Sequence, residues 1–593
     1  MVITNNRQEM KDLHYTDERN VQIVIALLKA HGIHRVIASP GTTNMTFVVS
    51  IQNDPWFQVW SSVDERSAAY LACGMADETG EPVVISCTGA TASRNYLPGL
   101  TEAYYRKLPV LAITSTRGVP QIGHLHDQQI DRRSHPNDTV MESVYIPMIK
   151  DAQDEQYATI EANKAILALK TNGGGPCHID MCTSYSKNFS IKELPPARVI
   201  KRYYQNDVIW PIIPNSAKVA IFVGAHQNFS KKLSDSVDLF CATYDSAVFC
   251  DHTSGYRGKY EVNYQIVSCQ ESWKSDNNDF DLCIHIGEVS GDQYKIATRN
   301  VWRVSPDGAL RDSWGKLSNV FMMPEEEFFI HYAQENTCRD SLVSKVNEEV
   351  NQFRKEIPEL PLCNIWMAQQ LSNIIPDNCE LHLGIYNSLR SWNFFKLPDG
   401  VIAKCNVGGF GIDGGISTMM GAALSHPDKL YFGVFGDLAF FYDMNVLGNR
   451  HVANNVRILL INNGKGQEFR NYTHPCYFLG DFADEYIAAA GHYGNKSSVL
   501  VKHYAEDLGY EYMSASTKEE FINHIERFVT PTLTECPMLL EVFTETKDES
   551  DALELIVNIR QNSKQKALDN IKMSLRNAFG GKRVEALKTL IKG

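Results

Sequence analysis

Two short segments place oxygen ligands where a hard metal ion would find them. Gly436-Asp437-Leu438 closes one apolar run, LYFGVFGD (430–437), and Asn462-Asn463 closes the next, VRILLINN (456–463). In a parallel β-α-β unit both strand ends reach the same carboxyl edge, so Asp437 and Asn463 are expected side by side. A carboxylate, an amide oxygen and a backbone carbonyl make half of an oxygen shell, which Mg2+ completes with phosphate oxygens. A competing chemistry starts earlier in the chain. Gly409, Gly411 and Gly414 fit G-x-G-x-x-G, a helical stretch ISTMMGAAL follows, and Asp437 ends the next strand. That pattern suits a dinucleotide pyrophosphate with the acid on a ribose, and makes a nicotinamide-dependent oxidoreductase the alternative. The dinucleotide pattern does not need the Asn pair; the metal-diphosphate pattern does.

The elements that must position these residues recur along most of the chain. HRVIAS (34–39), PVVISCTG (82–89), PVLAITS (109–115), KVAIFVG (218–224) and DLCIHIG (281–287) are further apolar runs bounded by turn residues, with helical stretches such as 19–31, 66–78 and 154–170 among them. Buried strands with helical crossovers predict an α/β fold with mostly parallel sheets flanked by helices. Residues 1–190, 196–345 and 360–547 are expected as three such domains, followed by a basic helical tail over 548–593 that reads as a solvated surface or oligomer contact.

Composition narrows the class. With 593 residues, 44% hydrophobic, 10% aromatic and a net charge of −13, the chain has enough apolar content for several cores and no basic excess for nucleic acid. No apolar run is long enough to span a membrane, and the polar start MVITNNRQEMKDLHYTDERN does not read as a signal peptide. The 14 cysteines include no C-x-x-C pair, as expected of buried thiols in a reduced, cytoplasmic protein.

Gly436-Asp437 followed by Asn462-Asn463 resembles the signature of the thiamine diphosphate enzymes of the acetolactate synthase and pyruvate decarboxylase superfamily. Leu438 departs from the usual third glycine. GDLAFFYDMNVL and Phe410-Gly411-Ile412-Asp413-Gly414 instead look like the variant in the menaquinone-pathway SEPHCHC synthases. SPGTTN (39–44), VDERSAAYLACGMA (63–76), TGATASRNYLPGLTEAYYRKLPVLAIT (88–114) and GGPCHIDM (174–181) match further landmarks in order, so the resemblance runs from about residue 20 to 545. It implies thiamine diphosphate held by Mg2+ (or Mn2+), with Asp437, Asn463 and the Lys465 carbonyl as metal ligands. Glu65 matches the carboxylate that bonds the pyrimidine N1′, a role that burial would assist by raising its pKa. Ile412 matches the wedge that bends the cofactor, and Phe410 offers a carbonyl to its amino group. Pro40, Gly41, Thr42, Ser388, Gly411, Gly436 and Leu438 complete the expected cofactor contacts.

The resemblance also implies a homodimer or homotetramer with active sites at the subunit interface, and a 2-oxo acid donor with a carbonyl acceptor. Carboligation is favoured over simple decarboxylation; an inactive cofactor-binding scaffold is the non-enzyme alternative. FAD is not expected in the middle domain. The synthases' substrate arginines fall on Thr42-Thr43, Val407 and near Trp392 here, which predicts a different reaction partner. His124, His126, Gln128 and Glu468 are candidates for proton transfer, and Thr43, Arg94, Arg117, Gln467 and Arg470 for substrate contact.

Overall fold

The structure is a computed structural model that describes residues 13–291, 296–334, 338–491 and 497–560. Residues 561–593, most of the expected basic tail, lie outside the described part; its first turns belong to the helix Thr546–Val557. The chain forms two compact units, Met1–Tyr204 with Gly308–Met322, and Gln205–Asp307 with Met323–Gly593.

The first unit is built on strands β1 (Arg35–Ala38), β2 (Gln58–Ser61), β3 (Val83–Cys87), β4 (Val110–Thr116), β5 (Glu142–Ile146) and β6 (Cys177–Cys182). Their order is β2-β1-β3-β4-β6-β5 with every pairing parallel. Every residue of β3, β4 and β6 is buried, as uninterrupted apolar runs require when helices cover both faces. Alternation along each strand sorts the two cores. Val84, Leu111 and Ile113 pack with the helices Arg19–Ala30 and Ala152–Ala168, while Val83, Ile85 and Ala112 pack with Glu65–Thr79 and Leu97–Arg106. The helix Glu65–Thr79 turns an alanine-rich face inward (Ala68, Ala69, Ala72, Ala76). Its neighbour approaches so closely that a Cβ on Gly99 would sit 2.4 Å from that of Ala69. This unit also holds a parallel pair, Lys201–Tyr204 with Leu317–Met322.

The second unit contains two parallel arrays. In the first, β7 (Val219–Val223), β8 (Ala247–Cys250), β9 (Glu261–Asn263), β10 (Leu282–Ile286) and β11 (Val301–Val304) run in the order β9-β8-β7-β10-β11. The second comprises β12 (Glu380–Leu383), β13 (Ile402–Cys405), β14 (Tyr431–Gly436), β15 (Val456–Asn462), β16 (Glu511–Ala515) and β17 (Met538–Phe543), ordered β13-β12-β14-β15-β17-β16. That is the strand permutation of the first unit's sheet repeated. Among the described residues no helix is long and apolar enough to cross a membrane.

Candidate active site

In the last sheet β12 and β14 are parallel neighbours whose connections leave in opposite directions, β12 toward β13 and β14 toward β15. Such a reversal opens a crevice at the carboxyl edge, where ligands of open α/β sheets bind. Asn387-Ser388 begin the helix after β12, and Asp437 begins the helix Asp437–Asp443 after β14. The parallel register of Gly436 with Ile461 brings Asn462-Asn463 to the same edge. A cavity of about 320 Å3 opens there, lined among others by Ser388, Gly411, Ile412, Asp437, Leu438, Asn463, Lys465 and Glu468. Its volume lies in the range of small-ligand pockets.

The Asn pair divides its work. Asn462 donates to Glu541 Oε1 (2.7 Å) inside the sheet, whereas the Asn463 Oδ1 is buried with no hydrogen-bond partner. Asp437, 4% exposed, accepts from the backbone N–H of Leu438 (2.8 Å) and of Gly464 (2.6 Å). Burial nevertheless pushes its carboxyl up to about 6, against the lowering effect of those N–H groups. An orphaned amide oxygen beside a desolvated carboxylate is a donor set short of a cation, and it fits Mg2+. Lys465 turns its ammonium away to Asp484 (2.6 Å), which leaves a backbone carbonyl as the group it has to offer a metal.

The glycine-rich segment follows β13, the edge strand, whereas a dinucleotide fingerprint follows the first, central strand of its sheet. The nicotinamide reading therefore lacks its structural context. Instead Gly411 and Ile412 line the cavity, and Phe410 holds a left-handed backbone (φ 53) with its ring edge-on to Tyr386 at 5.9 Å. Tyr386, the residue before Asn387-Ser388, is also left-handed (φ 66). Two strained non-glycine residues at one cavity mark a site that the surroundings over-determine.

The first unit gathers its own candidates at the carboxyl edge of its sheet. Glu65, half-buried at the start of its helix, accepts from Asn95 Nδ2 (3.2 Å). Pro40, Gly41 and Thr42 are exposed after β1, and a Cβ on Gly41 would overlap the Thr88 methyl after β3. Thr43 is buried and donates to the Ser115 carbonyl (3.0 Å). His124, His126 and Gln128 are all exposed on the segment after β4, with Gln128 left-handed (φ 55). Arg117 forms a two-pronged pair with Asp127 (2.8 and 3.3 Å), and Arg94 donates to the Asp131 carbonyl (2.8 Å).

Back at the cavity, Gln467 is buried, with its amide on Asn471, Ser550 and the Thr546 carbonyl. Arg470 reaches Gly480, Asp481 and Asp484. Two lining or neighbouring residues, Glu549 and Asn364, carry no signal in the sequence. Glu549 lines the cavity and takes the Asn364 N–H on both oxygens (3.0 and 3.1 Å); Asn364 in turn donates to Ser388 (3.3 Å). Burial pushes Glu549 up to about 7. Arg390 pairs with both oxygens of Glu468 (3.0 and 3.1 Å). No local motif could reveal these pairs, because their partners lie far off in sequence.

The profile of the thiamine pyrophosphate enzyme N-terminal TPP binding domain matches residues 19–135; thiamine pyrophosphate is the same compound as thiamine diphosphate. Over 559 residues the chain is 31% identical to the 2-succinyl-5-enolpyruvyl-6-hydroxy-3-cyclohexene-1-carboxylate synthase of Bacteroides thetaiotaomicron, covering 91% of this chain and 98% of that protein. The synthase of the same name in Phocaeicola vulgatus is 31% identical over 557 residues, covering 91% and 98%. That of Desulfotalea psychrophila is 26% identical over 538 residues, covering 87% and 96%. The donor set at the switch point and the full-length likeness agree: the chain is a thiamine diphosphate enzyme and belongs to the family of these carboxylate synthases.

Proposed function

We propose that this enzyme decarboxylates a 2-oxo acid and transfers the resulting acyl-anion equivalent to a carbonyl acceptor, with thiamine diphosphate and Mg2+ (or Mn2+) and without flavin. The observation that carries this is the unpartnered Asn463 Oδ1 beside the desolvated Asp437 at the switch point. When bound, thiamine diphosphate would supply a nucleophilic carbon for the ketone and an electron sink for the loss of CO2. The chain's own groups do the rest. Asp437, Asn463 and the Lys465 carbonyl would hold the metal, and Ser388 would donate to a phosphate oxygen. Ile412 would pack against the cofactor, and the Phe410 carbonyl would accept from its amino group. Glu65 would hydrogen-bond the pyrimidine nitrogen.

Glu65 comes from a second copy in this reading. Supporting that, its helix and the residues before it leave Val63 (80%), Tyr70 (48%) and Leu71 (50%) exposed, an apolar face of the kind that a homo-oligomer covers. The relatives' name, synthase, favours bond formation over simple decarboxylation. Thr42-Thr43 and Val407 stand where the resemblance expects substrate arginines, and a third falls near Trp392 with Arg390 close by, so the acceptor is proposed to differ from theirs. The test is a set of 13C-labelled 2-oxo acids incubated with the loaded enzyme and an aldehyde panel. A labelled hydroxyketone product is expected; CO2 with free aldehyde as the only products overturns the carboligase reading in favour of a decarboxylase.

A further inference from the structure

Besides Asp437 and Asn463, the cavity is lined by Tyr386, Asn387, Glu468, Phe469 and His474. The charge on Glu468 is already spent. Arg390 donates from Nη1 to Asn387 Oδ1 (3.1 Å) and Glu468 Oε2 (3.0 Å), and from Nη2 to Glu468 Oε1 (3.1 Å). Asn471 adds a third bond to Glu468 Oε2 (3.2 Å). Both partners of the ion pair are about three-quarters buried. A carboxylate has roughly four lone-pair sites, so three are used and the free capacity lies on Oε1. What remains accepts a hydrogen bond and cannot donate one. The guanidinium that would fork onto a substrate carboxylate is engaged by the protein's own.

The other three of these residues are aromatic. Tyr386 meets Phe410 edge-on at 5.9 Å, and Phe469 meets His474 edge-on at 5.4 Å. A net-neutral pair with a spare acceptor, set among aromatic edges, matches a ligand that donates hydroxyls and presents C–H faces. It disfavours a carboxylate, which would face Glu468 while Arg390 is already engaged and Lys465, another cation at this cavity, is paired with Asp484.

Building on the carboligase reading above, we propose that the acceptor is an uncharged, hydroxyl-bearing carbonyl compound, and that the Arg390–Glu468 pair is what excludes carboxylated acceptors. The test is binding to the full-length enzyme loaded with thiamine diphosphate and Mg2+, donor omitted, read by competition saturation-transfer NMR with glyceraldehyde, succinic semialdehyde and 3-aminopropanal. Glyceraldehyde is expected to bind at least tenfold more tightly than either charged aldehyde. Glu468→Gln, which frees Arg390, is expected to improve succinic semialdehyde at least tenfold relative to glyceraldehyde. Adding Arg390→Met to it removes both charges and is expected to abolish that gain, so a poorly folding single variant does not end the test. Equal binding of a charged aldehyde by the wild type, binding of none of the three, or a ratio unmoved in these variants overturns the proposal. CO2 release from 2-oxo acids by the wild type without any aldehyde is scored separately: its absence, with the binding preference intact, counts against the reaction and not against this pocket preference.

Discussion

Asp437 and Glu549 are two carboxyls at one cavity, both raised by burial, to about 6 and about 7 from ordinary values of 3.8 and 4.5. A raised acid binds more protons folded than unfolded, so its contribution to stability is present at low pH and lost as pH rises through the folded value. Shifts of this size correspond to roughly 3 kcal/mol per group. Without cofactor, the protein is therefore expected to gain stability as pH falls from 8 to 5. Mg2+ affinity is expected to fall over the same range as Asp437 takes up its proton. Calorimetric unfolding across that range measures it, with Asp437→Asn expected to flatten the slope; an unchanged slope contradicts the assignment. Asp437 and Asn463 were legible in the sequence because each ends an apolar run, and parallel strands carry such ends to one edge. Glu549 was not, because its partner Asn364 lies 185 residues away and nothing local marks the pair.

At the scale of elements, the two six-stranded sheets share one strand permutation, and each carries its candidates at the carboxyl edge. The segment after β4 that carries His124, His126 and Gln128 is tied down by Arg132, whose guanidinium reaches Asp180 on β6 (2.6 Å) with both side chains under 10% exposed. Removing one partner of a buried pair leaves an uncompensated charge, so Asp180→Ala is expected to cost about 3–5 kcal/mol. Chemical denaturation measures this; a loss under about 1 kcal/mol removes the anchor from the account. The apolar runs at 82–89, 109–115, 430–437 and 456–463 announced their strands, because sheets buried on both faces need uninterrupted hydrophobic stretches. The edge strand β2 was illegible: three of its four residues are exposed, so it carries no hydrophobic run.

At the scale of the molecule, the chain's acidity, −13 overall, does not choose a substrate, and the paired arginines explain why a count of charges would mislead. The exposed Val63, Tyr70 and Leu71 lead to a separate expectation. Leu71→Asp should shift the protein from a dimer or larger assembly toward monomer in analytical ultracentrifugation and lower activity with it. A wild-type protein that sediments as a monomer when loaded contradicts the shared-site reading.

Glu65 of one copy and the Asp437–Asn463 edge of another are proposed to act together on 2-oxo acids. CO2 release from a panel of 2-oxo acids, with thiamine diphosphate and Mg2+, tests this most directly. Release from at least one acid is expected, dependent on both additions, with a fall of roughly 10²–10⁴ in Glu65→Gln and the fold retained. No release from any acid, or full release by Glu65→Gln, would contradict this reading.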